Sequence, residues 1–127
     1  MNRDIPYTKK EIGDRGEFYC VQYLLKNGYE ILHRNYRKSF GEIDIIARRD
    51  GVVSFVEVKT RHHHPMTQPW EAVGYRKQQR IIQTAQAYLI EYDVHAFCRF
   101  DVCEVIVDSK TLNLLHLHYI KSAFECR

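Results

Sequence analysis

The sequence predicts an α/β fold: a central mixed five-stranded sheet flanked by helices, in the order α-β-β-β-α-β-β. Three observations lead there. Two stretches rich in β-branched residues, Glu42 to Arg49 and Val52 to Thr60, are joined by Asp50-Gly51. That dipeptide is a strong two-residue hairpin signal, because both turn positions need positive φ. A longer segment from about Tyr75 to Tyr92 carries Ile81, Ile82, Ala85, Tyr88 and Leu89 at helical spacing. A strand follows it, so the helix forms a crossover and that strand can pair parallel to a hairpin strand.

The elements follow in order. Thr8-Lys9-Lys10-Glu11 has capping-box spacing, and a helix runs from there to about Asn27, with Gly28 as its stop. Tyr29 to Arg37 suits a strand, and the hairpin comes next. His62 to Gln68 reads as a polar loop, and Pro69-Trp70-Glu71 begins a helical turn before the long helix. Phe97 to Val107 is a strand, Asp108-Ser109-Lys110 turns it, and Leu112 to Tyr119 returns as another. There are no internal repeats and no low-complexity segment.

The hairpin carries the chemistry. With Arg49 opposite Val52, Asp44 faces Glu57 and Glu42 faces Lys59. Alternation puts these four on one face with Ile46 and Phe55, leaving Ile43, Ile45, Val56 and Val58 as the core face. Opposed Cβ atoms lie roughly 4.5–5.5 Å apart. Two carboxylates at that spacing repel each other unless something positive lies between them, and a hard divalent cation suits carboxylate oxygens. Any one of these carboxylates alone would read as a wet strand face, and Glu42 with Lys59 as an ordinary ion pair. Asp44 opposite Glu57 does not fit that account.

The first helix supplies a third acidic group. Gly13, Gly16, Cys20, Val21, Tyr23 and Leu24 form an apolar arc, and Glu17 falls inside it. A carboxylate in a packing face needs a partner. A base such as Arg99 is one; the charged patch of the hairpin is the other. Gly13 and Gly16 each cost about 1 kcal/mol relative to Ala in a helix interior, which close backbone packing would offset.

Composition sets the bounds. A chain of 127 residues with 45% hydrophobic and 28% charged residues reads as one globular domain over residues 1–127. No apolar run approaches the ~20 residues of a membrane span, and no apolar signal core opens the chain. A cytoplasmic location without a membrane partner is the resulting expectation. Cys20, Cys98, Cys103 and Cys126 lack metal-ligand spacing and read as reduced thiols. A net charge of +3 permits a polyanionic partner without demanding one. His62-His63-His64 lacks a fourth ligand at recognised spacing and reads as adventitious. His116 and His118 alternate with Leu115 and Leu117 as the exposed face of an edge strand.

An acidic residue in the first helix, then Asp, then Glu-x-Lys on the next strand, then a helix and a strand, resembles the PD-(D/E)xK nuclease superfamily. More closely, the chain resembles the small bacterial YraN-like family, related to archaeal Holliday-junction resolvases. The matching words are Gly13-Asp14-Arg15-Gly16-Glu17, Asn35-Tyr36-Arg37, Gly41-Glu42-Ile43-Asp44, Phe55-Val56-Glu57-Val58-Lys59-Thr60-Arg61, Ala72-Val73 with Lys77, and Arg99-Phe100-Asp101-Val102. The resemblance implies a restriction-endonuclease-like fold and a catalytic set of Glu17, Asp44, Glu57 and Lys59. Asp44, Glu57 and the Val58 carbonyl would hold Mg or Mn. Gly-Glu-Ile-Asp stands where many such nucleases have Pro-Asp; Glu42 is then an auxiliary ligand or a partner that damps Lys59.

Nucleic acid needs phosphate contacts as well. Arg34, Arg37 and Lys38 precede the hairpin, Arg61 follows it, and Arg76, Lys77 and Arg80 open the long helix. Lys77 leans toward the core side and within reach of the site. Tyr36 and Phe40 could stack on bases, although aromatics in such a fold are more often core. Two functions stay open. One is a magnesium- or manganese-dependent endonuclease acting on branched or otherwise structured DNA. The other is a non-catalytic nucleic-acid-binding protein that keeps the fold. A homodimer is open under either.

Overall fold

The computed structural model describes residues 5–62 and 73–125. The helical turn expected at Pro69-Trp70-Glu71, the loop beyond His62, Ala72 and Cys126 lie outside those residues. The elements are α1 (Lys9–Lys26), β1 (Glu30–Lys38), β2 (Gly41–Arg49), β3 (Val52–Arg61), α2 (Tyr75–Glu91), β4 (Phe97–Val107) and β5 (Leu114–Phe124). They form one five-stranded sheet in the order β1-β2-β3-β4-β5. Only β3 and β4 run parallel, joined by the α2 crossover. The α/β class and the element order are those expected.

Local chemistry explains the boundaries. Thr8 and Glu11 form a reciprocal capping box: the Thr8 hydroxyl accepts from the Glu11 amide at 3.1 Å, and Glu11 Oε1 accepts from the Thr8 amide at 2.9 Å. At the other end Gly28 takes φ 83°, and the Tyr29 amide reaches back to the Leu24 carbonyl at 2.9 Å. Asp50 and Gly51 take φ 52° and 77°, the pair of positive values a two-residue hairpin demands. The last strand starts later and runs further than expected. The Asp108 carboxylate accepts the Lys110 and Thr111 amides, and Leu112 is tucked into the turn at φ 59° as a buried plug. Pairing therefore begins only after it.

The sheet has a core on each side. Tyr36, Ile43, Ile46, Phe55 and Phe100 pack with Ile81, Ile82, Ala85 and Tyr88 of α2. Ile45, Ala47, Val56, Cys103 and Val105 pack with Cys20 and Leu24 of α1. Both hairpin faces are thus buried over much of their length, which accounts for Ile46 and Phe55. Ile43 corrects the expected pattern: it lies on the α2 side with Ile46 and not with Ile45. The cause sits on β1, where Arg34 opposes Ile45 and Tyr36 opposes Ile43, so Asn35 lies across from Asp44. Asn35 takes φ 52°, and alternation is interrupted at that step. Tyr36 is core, with its hydroxyl donating to Glu91, which removes it as a platform for bases.

Two glycines record close approaches. A Cβ on Gly16 would overlap the Thr60 side chain, so α1 lies directly on β3. A Cβ on Gly41 would overlap Thr84 Oγ1 and press on the Arg80 carbonyl, so the middle of α2 rests on the start of β2. Gly13 differs, since a Cβ there meets nothing within 4 Å. Gly16→Ala is expected to lower stability by about 1–3 kcal/mol through overpacking, whereas Gly13→Ala should raise it by about 1 kcal/mol. Urea unfolding of the two variants beside the wild type checks the contrast; equal shifts would refute it.

Candidate metal-binding site

The strand pair that carries the carboxylates opens where they stand. The β2–β3 ladder runs from Arg49 opposite Val52 to Ile45 opposite Val56, in the expected register, and its recorded pairs end there. Asp44 occupies the opening. One of its oxygens accepts the Val58 amide at 2.8 Å, which fixes the carboxylate beside the β3 backbone. Glu57, 7% exposed, meets Lys77 Nζ of α2 at 2.5 Å and Lys59 Nζ at 3.7 Å. A hollow of about 310 Å³ is lined by Gly41, Glu42, Asp44, Glu57, Lys77, Arg80 and Ile81. A second, of about 370 Å³, lies toward α1 and is lined by Glu17, Asp44, Val58, Thr60 and Arg61 among others. Asp44 borders both. It stands at the seam between the two sides and does not lie flat on one face with Glu57 and Lys59, as strict alternation requires.

The electrostatics follow from this crowding. Burial, and then the Glu57 carboxylate, push Asp44 up to about 8, against the pull of the Val58 amide. Glu17 is raised by burial, with Arg34 at 3.7 Å opposing. Lys59 is lowered by burial and by the Lys77 ammonium beside it. Burial also works against the charge of Lys77, but Glu57 outweighs it and holds that ammonium above its ordinary range.

Several expected partnerships are different in the structure. Glu42 pairs with Arg37 at 3.2 Å and not with Lys59. The β2–β3 ladder ends before Lys59, whose register partner in the parallel ladder is Glu104 of β4. Arg99 does not reach Glu17; it donates from Nε to Asp101 at 2.9 and 3.1 Å. Glu17 instead takes Arg34 and Asn35 and faces the Asp44 hollow. Of the expected phosphate contacts, Arg37 and Lys38 are held by Glu42 and Glu91, and Lys77 by Glu57. Arg80 lines the hollow toward α2, Arg61 the one toward α1, and Arg76 is exposed at the start of α2. Cys20, Cys98 and Cys103 are free thiols. Among the described residues no helix is long and apolar enough to cross a membrane.

Sequence reasoning missed two residues. Asn35 lies across from Asp44 at positive φ and bonds Glu17; an Asn between two strand residues, able to take positive φ, was the signal available. Glu104 is 5% exposed, its Oε2 has no hydrogen-bond partner among the described residues, and it neighbours Lys59. No local signal marks it, because its neighbour is 45 positions away in the chain and depends on the strand order.

The match of the family model described as "Uncharacterised protein family UPF0102" covers residues 16–105, from the glycine packed on Thr60 to the strand behind Lys59. The chain belongs to that family. A UPF0102 protein of Clostridium botulinum (strain 657 / Type Ba4) is 43% identical over 121 residues, covering 94% of this chain and 98% of that protein. One from Alkaliphilus metalliredigens (strain QYMF) is 44% identical over 120 residues, covering 91% and 98%. The matched UPF0102 segment contains Glu17, Asp44, Glu57 and Lys59, and also Lys77 and Glu104.

The donor set suits a hard divalent ion. Asp44 and Glu57 offer carboxylate oxygens, and the Val58 amide fixes Asp44 beside the β3 backbone. Among the described residues no three His, Cys, Asp or Glu groups converge as a closed metal cage. Magnesium does not need one, since it keeps several waters and takes one or two carboxylates together with substrate phosphates. The Asp44 carboxyl is raised first by burial and then by the Glu57 carboxylate, so a cation bound beside it would favour its charged form.

Proposed function

We propose that this UPF0102 protein is a metal-dependent endonuclease that hydrolyses phosphodiester bonds in structured or branched DNA, within the PD-(D/E)xK superfamily. The observation that carries the reading is the opening between β2 and β3, where Asp44 and Glu57 stand together with Lys59 and Lys77. Asp44 and Glu57 would hold Mg or Mn, with the Val58 carbonyl. The ion would lower the pKa of a bound water and neutralise phosphate charge. Lys59, half-buried on β3, would stabilise charge developing on the phosphoryl oxygens. Glu17 would assist from α1, and Arg80, Arg61 and Arg76 would track the phosphates on either side. Glu42, held by Arg37, borders the hollow as an auxiliary carboxylate.

A specific contact favours a second reading. Lys77 already neutralises Glu57, as expected of a non-catalytic nucleic-acid-binding protein that keeps the fold. In the nuclease reading this pair opens when phosphate draws Lys77 away and frees Glu57 for the ion. Cleavage of labelled linear, flap and four-way DNA with magnesium and manganese, beside Asp44→Ala, decides between them. Lys59→Ala should lower the cleavage rate about 10²–10³-fold with binding largely kept. Lys77→Ala should weaken DNA binding, flatten its salt dependence, and tighten manganese binding by releasing Glu57. A pure protein that binds flap or four-way DNA and cuts none with either metal would establish the non-catalytic reading.

A further inference from the structure

Gly13 is a helix-interior glycine that packing does not explain. The turn after it, Gly16, is required by Thr60; at Gly13 an added Cβ meets nothing. Helix α1 gives up stability at that position, and none of the described residues fills the space. The space belongs to the cavity of about 370 Å³ between α1 and β3. Ile12 and Val58 form an apolar wall. Glu17 and Asp44 close the end shared with the carboxylate site. Lys9 and Arg61 stand in the lining as well, and the buried Arg61 Nε has no acceptor among the described residues. A buried donor left unpaired is costly, which points to a ligand that supplies an acceptor.

Asp44 borders this cavity and the hollow of Glu57 and Lys77. A strand that lays a phosphate at Asp44 and Glu57 therefore brings its next nucleotide to the cavity mouth. The volume lies at the lower end of the ~300–1,000 Å³ typical of small-ligand pockets. That is room for one nucleotide and not for a stacked duplex. Entry requires a nucleotide out of the stack, which costs least where it is already unpaired.

We infer that the α1–β3 cavity is a pocket for one unpaired nucleotide next to the phosphate at Asp44 and Glu57, with Arg61 holding that nucleotide's own phosphate. The inference rests on the nucleic-acid reading above and names what a branched or frayed substrate offers: single-stranded chain at the cut. The test is amide chemical-shift titration of the ¹⁵N-labelled protein, without metal, using a deoxyribonucleoside monophosphate, the matching nucleoside and inorganic phosphate. The monophosphate should shift Gly13, Glu17 and Val58 and bind at least tenfold tighter than either fragment. Gly13→Leu, in which a better helix former enters open space, should stay folded by circular dichroism and lower that affinity tenfold or more. Arg61→Gln should weaken the monophosphate but not the nucleoside. Phosphate binding as tightly as the monophosphate, with Gly13→Leu unaffected, would mean a bare anion site and overturn the pocket. So would shifts confined to residues elsewhere. A protein that takes the monophosphate at Gly13 but cuts no DNA keeps the pocket and removes hydrolysis. A protein that cuts, and whose Gly13→Leu variant keeps the wild-type ratio of flap to blunt-duplex cleavage, keeps hydrolysis and removes the pocket.

Discussion

Asp44→Asn is expected to make the metal-free protein more stable at pH 8 and to change it little near pH 4. The Asp44 carboxyl is pushed from 3.8 up to about 8 by burial and by Glu57. The folded protein therefore binds a proton that the unfolded chain has already released. Between about pH 4 and pH 8 the folded state holds more protons, so wild-type stability falls as pH rises through that window. The rise corresponds to at most about 5–6 kcal/mol, and Glu57 shares it, since the two acids titrate as a pair. Asparagine carries no charge and keeps an oxygen for the Val58 amide, so the variant should lose most of this slope. Manganese should act in the opposite sense on the wild type, stabilising it more at pH 8 than at pH 6, because ion and proton compete for the same oxygens. Thermal unfolding from pH 4 to 8, with and without manganese, measures both. Identical pH profiles for wild type and variant would show that the Asp44 carboxyl is not raised in the folded protein.

Asp101→Ala should cost about 3–5 kcal/mol, the loss expected when one partner of a buried ion pair is removed. Asp101 is fully buried and its two oxygens accept four hydrogen bonds. Arg99 Nε donates to both, the Tyr119 hydroxyl at 2.6 Å and the Ser122 amide at 3.0 Å. Arg99 also donates to the Tyr29 hydroxyl and to Ser54 Oγ, so the network ties β3, β4 and β5 to the segment between α1 and β1. The Ser122 contact lies where the β4–β5 register shifts and Ser122 takes φ 54°, which makes Asp101 the pin of that irregularity. Alanine would leave a guanidinium, a phenol and an amide without their acceptor. No residue of the network lines either hollow beside Asp44, so an Asp101→Ala protein cooled into its folded range should retain manganese binding. A loss below about 1 kcal/mol in urea unfolding would mean that water replaces the carboxylate at little cost.

Much of this protein was legible in the chain because its signals are local. The Thr8–Glu11 capping box, the Gly28 stop and the Asp50-Gly51 turn each depend on hydrogen bonds or φ values spanning a few residues. The hairpin register follows from the turn alone as far as Ile45 and Val56, and it brings Asp44 and Glu57 to the same end of the same strand pair. The tertiary structure decided how that end is finished. Positive φ at Asn35 interrupts alternation across from Asp44, and that carboxylate stands at the seam. The strand order places Glu104, not Glu42, beside Lys59. The contact of α2 with Gly41 carries Lys77 onto Glu57, and the buried Asp101 claims Arg99 in place of Glu17. Each of these joins residues far apart in the chain, on elements whose local sequence is satisfied by any of several neighbours. Which neighbour is met depends on how the helices and strands stack, and that is settled by burying both faces of the sheet at once.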